Sequence, residues 1–258
     1  MPGYSDFAVC YDALTFNVDY KGRAEALDRA VMRHKGSRGI LLDLACGTGS
    51  MSEAMAAMGY DVIGVDISED MLGVALEKKA ASGLPIQYLC QDMRELDMFG
   101  TVGVTVCTLD SLNHLGSRED IMEVFRRVSL FTDPGGLFLF DMNTPYKHRE
   151  ILGSNTFVYD REDIYCVWQN FPDENSPDCR VDIVLDFFVP QADGSYKRLC
   201  DEVSETAYDE SEIIKMLECS GFELLEILDG DSFEKPCPTS QRLLYIGKKL
   251  QIRGIENG

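Results

Sequence analysis

The sequence predicts an α/β fold: a mostly parallel seven-stranded sheet, helices on both of its faces, and an antiparallel β-sheet inserted late in the chain. Three observations carry this. Short unbroken apolar runs alternate with helical stripes from residue 39 to residue 143. That is the pattern of a parallel sheet wrapped by right-handed crossovers. The first run, "LLDLACGTGS" at 41–50, ends in small residues and two glycines. Beyond about residue 155 the apolar period drops to two, which marks half-buried antiparallel strands. A length of 258 residues suits one large domain with an insertion. The divisions expected are a core at 1–154 with an N-terminal helical cap, the insertion at 155–207, and a return to the core at 208–258.

Each element has its own signal. In "GRAEALDRAVMRHK" (22–35), Ala24, Leu27 and Val31 share one helical face. "GILLDLA" (39–45) is too short for a helix and unbroken like a strand covered on both faces. Met51, Ala54, Met55 and Met58 recur at helical spacing, a core stripe that Gly59 stops. "DVIGVDIS" is the second strand. Ser68 then caps a helix whose first turn holds Glu69 and Asp70, the favourable sign for that end. "PIQYLCQD" and "VGVTVCTLD" are the third and fourth strands. Ser117 opens a helix with Ile121, Val124, Phe125 and Val128 inward. "PGG" at 134–136 breaks the chain, and "LFLFDMN" is the fifth strand.

In the insertion, Val181, Ile183, Leu185, Phe187 and Val189 alternate with polar positions. "ADGSY" carries an Asp-Gly hairpin signal, and "DIYCVWQNF" reads as another strand. The chain closes with the helix "DESEIIKMLECSG" and the strands "FELLEIL" and "QRLLYIGKK".

The charge is lopsided, 24 basic against 44 acidic residues, net -20. Such a surface repels nucleic-acid backbones and anionic lipid heads, and its plain consequence is solubility. Nine cysteines, none spaced CxxC, read as reduced thiols. No apolar run reaches the roughly 20 residues of a membrane span, and the N-terminus lacks a signal-peptide pattern. A cytoplasmic protein is expected.

The glycine loop sits where open α/β sheets bind ligands, beyond the carboxyl ends of the strands. A dinucleotide loop needs G-x-G-x-x-G. Here Gly47-Thr48-Gly49-Ser50-Met51-Ser52 lacks the third glycine. Asp43 instead stands just before the turn and favours a cationic ligand group. Asp66 ends the second strand, where a carboxylate can accept both hydroxyls of a ribose. Asp92 ends the third strand, within reach of an adenine amino group. A ribose, a base and a cationic part without phosphate describe S-adenosylmethionine.

"LLDLACGTG", "VIGVDIS", "CQDM", "LDSLNHL" and "PGGLFLFDMN" resemble the successive motifs of class I S-adenosylmethionine-dependent methyltransferases. The resemblance covers nearly the whole chain and implies their Rossmann-like fold. Ala45 stands where many members have a first glycine. The resemblance implies that Ala45, Gly47 and Gly49 pass the methionine part, and that Asp66 holds the ribose. It also implies that Asp92 and Met93 meet the adenine, that Ile67 and Met71 line the base pocket, and that Leu109 and Ser111 complete the cofactor contacts. "YDAL" with "DYKGRAEAL" is similar to the entry segment of small-molecule N-methyltransferases of the glycine and amino-sugar types. By that similarity Arg23 would grip the cofactor carboxylate, Tyr11 and Tyr20 would close over the cofactor, and the inserted sheet would be a substrate lid.

Several residues carry two readings. Arg23 is a carboxylate ligand or an exposed helix charge. Tyr11 and Tyr20 are cofactor contacts or lid packing. His114, in "LDSLNHL" at the cleft rim, is a general base near pH 7 or a helix-cap histidine. Asp110, Asp141 and Asn143 end neighbouring strands, but the resemblance points to the metal-free branch, so no metal is expected. Tyr165, Trp168, Phe187 and Phe188 suit a substrate pocket or a dimer interface equally. The function expected is methyl transfer to a nitrogen or oxygen of a small molecule. Three rivals stand beside it: a cofactor-binding protein without transfer, a nicotinamide oxidoreductase, and a methyltransferase acting on protein or tRNA.

Overall fold

The computed structural model describes residues 5–173 and 178–251. Two helices, α1 (Ser5–Leu14) and α2 (Tyr20–His34), precede the sheet. Asp19 caps α2 by accepting from the Gly22 N–H, so this helix begins before the first residue of its apolar stripe. Strand and helix then alternate: β1 (Ile40–Leu44), α3 (Ser50–Ala57), β2 (Asp61–Asp66), α4 (Glu69–Ser82), β3 (Gln87–Cys90), β4 (Val102–Cys107), α5 (Arg118–Phe131) and β5 (Thr132–Asn143). Ser68 caps α4 through the Met71 N–H, and Ser117 caps α5 through that of Asp120.

After the inserted strands come α6 (Glu210–Cys219), β10 (Phe222–Asp229) and β11 (Arg242–Lys249). The seven-stranded sheet has the order β10-β11-β5-β4-β1-β2-β3. Only β11 runs against its neighbours, pairing antiparallel with both β10 and β5. Strand β1 pairs in parallel with β2 on one side and β4 on the other. The chain reverses direction across the sheet there, which opens a crevice at the carboxyl edge.

The sheet is covered on both faces, and β5 shows how. Leu137 and Leu139 join Leu41, Met51, Met55 and Val104 on one face. Phe138 and Phe140 join Leu42, Leu44 and Phe125 on the other. An unbroken apolar run is what two buried faces require.

The "PGG" break proves to be a bulge within β5. Pairing with β4 shifts register between Val102 and Val104, and Gly135 takes a φ of +79°. At Gly136 a side chain would press against the carbonyls of Asp133 and Gly103. β4 ends at Cys107, earlier than its apolar run, because Leu109 and Asp110 turn left-handed (φ +59° and +57°).

The insertion forms its own antiparallel sheet from β6 (Thr156–Asp160), β7 (Tyr165–Pro172), β8 (Cys179–Pro190) and β9 (Tyr196–Ala207). β6 carries no clear sequence pattern. The turn of π-helix at Lys147–Leu152 that leads into it is likewise unannounced. Val181, Ile183, Leu185 and Phe187 point inward with Cys166 and Leu199, and Cys10 of α1 packs among them. Helix α1 is thereby fixed to the lid sheet.

Phe140 lies at the centre of an aromatic group, 4.9 Å from Phe125, 4.7 Å from Phe138 and 5.0 Å from Tyr245 between ring centroids. Phe140→Ala is expected to cost about 3–5 kcal/mol of stability. Urea unfolding should show a lower midpoint at unchanged slope. A loss under about 1 kcal/mol would show that this cluster does not anchor the sheet.

Candidate active site

Carboxylates gather at the carboxyl edge of the sheet, and each is held differently. Asp43, within β1, is buried beneath the glycine loop and accepts from the Ser52 hydroxyl at 2.5 Å. Burial raises its carboxyl to about 7, and the nearby Asp66 charge adds to this. Asp43 is thus sealed from direct contact with a ligand. Asp66 ends β2 and accepts from the Gly47 N–H (2.8 Å) and the Ser68 N–H (2.9 Å). Burial raises its carboxyl as well, against those two donors.

Ala45, Gly47 and Gly49 all have positive φ, at +59°, +53° and +78°. Nothing lies within 4 Å of where a Gly47 side chain would start, so the loop there is open to a ligand. At Gly49 the same place is taken by the Tyr88 hydroxyl of β3. Loop and α1 are tied together. Asp12 accepts from the Thr48 hydroxyl at 2.7 Å and pairs with Lys78 at 2.6 Å.

On the base side, Ile67 is exposed (53%) beside Asp66, while Met71 is buried. Asp92 caps a short 3-10 turn, Met93–Glu95, and its carboxylate binds the Arg94 guanidinium, which holds it below the usual range. Met93 packs against the core. To meet an adenine, Asp92 would share its oxygens with Arg94.

The second half of the site is a cavity of about 690 Å³ between the sheet edge, α1 and the inserted sheet. Tyr11, Arg23, Leu109 and His114 line it, together with Asp110, Lys147, Tyr159, Trp168, Glu205 and Arg242. Tyr11 lies near Tyr20, which begins α2 and packs on the core. The Arg23 guanidinium donates to the Gly230 carbonyl (2.8 Å) and Asp231 (2.7 Å). A ligand carboxylate would take the place of Asp231. His114 closes the 3-10 turn Ser111–His114 and is exposed at the rim. Ser111 lies in the same turn, its hydroxyl donating to the Thr108 carbonyl.

The left-handed pair Leu109–Asp110 directs both its N–H groups at Asp141, at 3.0 and 2.8 Å. This aims the Asp110 side chain into the cavity, where it meets Arg242 (3.1 Å) and Asn143 (2.7 Å). Burial pushes the Asp110 carboxyl up, but the Arg242 and Lys147 charges hold it well below the usual carboxylate range.

Of the four aromatic lid residues, Trp168 lines the cavity and Phe187 is buried in the lid core. Tyr165 and Phe188 pair edge-to-face on the outer side. Sequence reasoning missed Arg242, Lys147, Tyr159 and Glu205. For Glu205 a signal was present: it continues the alternation of Leu199 and Val203 as an acid in an inward position.

A methyltransferase-domain family model matches residues 41–136. A Bacillus subtilis protein named as a methyltransferase, YqeM, is 33% identical over 247 residues, covering 95% of this chain and 97% of that one. The crystal structure of an S-adenosylmethionine-dependent methyltransferase from Clostridium acetobutylicum superposes with a TM-score of 0.86 at 32% identity, covering 96% and 99% of the two chains. The sugar N-methyltransferase KedS8 from Streptoalloteichus shares the fold, with a TM-score of 0.76 at 20% identity and 93% of each chain covered. The chain belongs to the class I S-adenosylmethionine-dependent methyltransferases, and its cofactor is S-adenosylmethionine. The open backbone at Gly47 and the Asp66 carboxylate beside it fit that cofactor.

Asp43 gives a pH-dependent prediction. Its carboxyl titrates near 7 folded and near 3.8 unfolded. The folded state therefore loses stability as pH rises from about 4 to 7, and the loss is complete above that window. The gap corresponds to on the order of 4 kcal/mol. Asp43→Asn should raise the melting temperature of the cofactor-free protein at pH 8, with the advantage fading toward pH 4, while weakening cofactor binding. A variant that melts lower at pH 8 would show that the ionised carboxylate is stabilising.

Proposed function

We propose that this enzyme methylates a nitrogen or oxygen of a small-molecule acceptor in the cytoplasm. The observation that carries this is the half-open cavity, walled by Trp168, Ile183, Leu185 and Val203 of the inserted sheet and ending in polar groups at the strand edge. Its size suits a small molecule. The free cysteines at nine positions support a reducing compartment. No helix among the described residues is long and apolar enough to cross a membrane. The net charge of -20 speaks against a nucleic-acid acceptor.

S-adenosylmethionine, when bound, supplies a methyl group on a sulfonium that needs little further activation. The residues of this chain bind and orient. Gly47 leaves its backbone open, Asp66 offers carboxylate oxygens to hydroxyls, and Arg23 is placed to exchange Asp231 for a ligand carboxylate. Tyr11 and α1 cover the site and exclude water. Holding two reactants in line this way supplies much of the rate. His114, at the cavity rim, is positioned to take the proton that the acceptor loses.

Calorimetry with S-adenosylmethionine, S-adenosylhomocysteine and NAD tests the cofactor half. Micromolar binding of the first two is expected, weakened at least about tenfold by Asp66→Ala, with no binding of NAD. Binding of NAD alone would defeat the assignment. For the acceptor half, His114→Gln should lower kcat by about 100-fold with KM little changed. Near-normal turnover under saturating acceptor would remove His114 from proton transfer.

A further inference from the structure

Asn143, at the end of β5, holds two carboxylates with one amide group. Its Nδ2 donates to Asp110 Oδ2 at 2.7 Å and to Glu205 Oε2 at 2.8 Å. Asp110 comes from the core and Glu205 from β9 of the inserted sheet. Both line the cavity. The polar contacts of Asp110 fall on Oδ2, with Arg242 at 3.1 Å and Lys147 at 3.8 Å. Those of Glu205 fall on Oε2, with Asn143 and with His148 Nε2 at 3.2 Å. The second oxygens, Asp110 Oδ1 and Glu205 Oε1, have no hydrogen-bond donor among the described residues. They are also absent from the sealed-off polar atoms of the interior, so they open onto the cavity.

Two cations, Arg242 and Lys147, stand on the Oδ2 side of Asp110 and line the same cavity. Lys147 donates to Asn143 Oδ1 at 2.9 Å. The Arg242 atoms left without hydrogen bonds, Nε and Nη1, are buried, and Nη1 lies 3.7 Å from Asp141. The acidic pair therefore faces the cavity with its second oxygens, beside Lys147 and with His114 at the rim.

His148 fixes the lid member of the pair. It is 1% exposed, and its Nδ1 lies 2.7 Å from the Cys179 carbonyl of β8. The ring thus sits between the Cys179 carbonyl and Glu205 Oε2. A carboxylate gripped by such a ring and by Asn143 has one oxygen locked and one exposed.

We propose that Glu205 is an acceptor-binding residue, which with Asp110 receives hydrogen bonds from the hydrogen-bearing reacting group of the acceptor, and that His148 is the positioning residue that holds Glu205 there. This rests on the methyltransferase reading of the cavity. It assigns recognition of the reacting end to the inserted sheet, so an acceptor that lacks N–H or O–H donors is excluded. With its hydrogens held by two carboxylate oxygens, the nucleophile keeps its lone pair free to point along the transfer line.

Matched probes test it on the full chain saturated with S-adenosylhomocysteine. Cyclohexylamine, a cation at neutral pH, presents N–H donors, and cyclohexyltrimethylammonium, equally charged on the same ring, presents none. By calorimetry the amine should bind at least about tenfold tighter, the weight of one charge-assisted hydrogen bond. Glu205→Gln should abolish the preference, Glu205→Asp should keep part of it, and His148→Gln should reduce it several-fold. In each variant the affinity for S-adenosylhomocysteine should stay within about twofold, which shows that the fold is intact. An amine that binds the wild-type protein no tighter than the quaternary ammonium, or a preference that survives Glu205→Gln, overturns the proposal. Failure of S-adenosylhomocysteine to bind the wild-type protein would instead overturn the methyltransferase reading.

Discussion

Buried negative charge at one edge of the sheet governs the rest of the structure. Asp43, Asp66 and Asp141 lie at the ends of β1, β2 and β5, Asp110 follows β4, and Glu205 arrives from the inserted sheet. A carboxylate taken from water without donors costs several kcal/mol. Each of these therefore dictates its surroundings. Asp66 is answered by the N–H groups of Gly47 and Ser68, and Asp141 by those of Leu109 and Asp110. A backbone can direct consecutive N–H groups at one acceptor in such left-handed turns, which form anion-binding nests. Leu109 and Asp110 are not glycine, so their conformation costs on the order of 1–3 kcal/mol each, which the Asp141 bonds offset. The strain is local, and it aims Asp110 into the cavity.

The same acids join the lid to the core. Asn143 reaches Glu205, and Asn113 donates to the Thr206 carbonyl and to that of Asn143. Further out, Arg118 at the start of α5 holds Asp178 at 2.7 Å and Glu212 at 3.1 Å. The inserted sheet is thus docked by polar groups at the sheet edge, and by the apolar contact of Cys10 elsewhere. Asn143 bonds the core carboxylate Asp110 and the inserted sheet's Glu205 through one nitrogen. Helix α1 extends the coupling to the cofactor side through Asp12, Thr48 and Lys78.

The parallel core was legible because its signals are local and redundant. Ser68 and Ser117 announce their helices, and the 39–45 run ends in its loop. Less legible was whatever depended on partners distant in sequence. "PGG" reads as a break, yet pairing with β4 absorbs it as a bulge. β6 is recruited by pairing with β7, and its own residues alternate only between half-buried and exposed. In the site, Asp66 and the glycines declare themselves by spacing, whereas Arg242 reaches Asp110 across 132 residues. Nothing in "QRLLYIGKK" says that its arginine turns inward. Glu205 is intermediate: its parity within β9 was readable, but its partners Asn143 and His148 were not.

The two loop glycines show why a motif and its cause must be separated. Both have positive φ, so both favour glycine on backbone grounds alone. Their surroundings differ. A side chain at Gly47 would project into open space beside Asp66, where a ligand belongs. At Gly49 it would collide with Tyr88, whose ring also occupies the place of a side chain at Gly64 on β2. Tyr88 lies across two glycines and closes the floor of the loop from below. Gly47 thus leaves the loop open on its upper side, and Gly49 is small so that β3 can pack beneath the loop that carries it. The spacing that identifies the loop combines a binding requirement with a packing requirement, and the second holds the first in place.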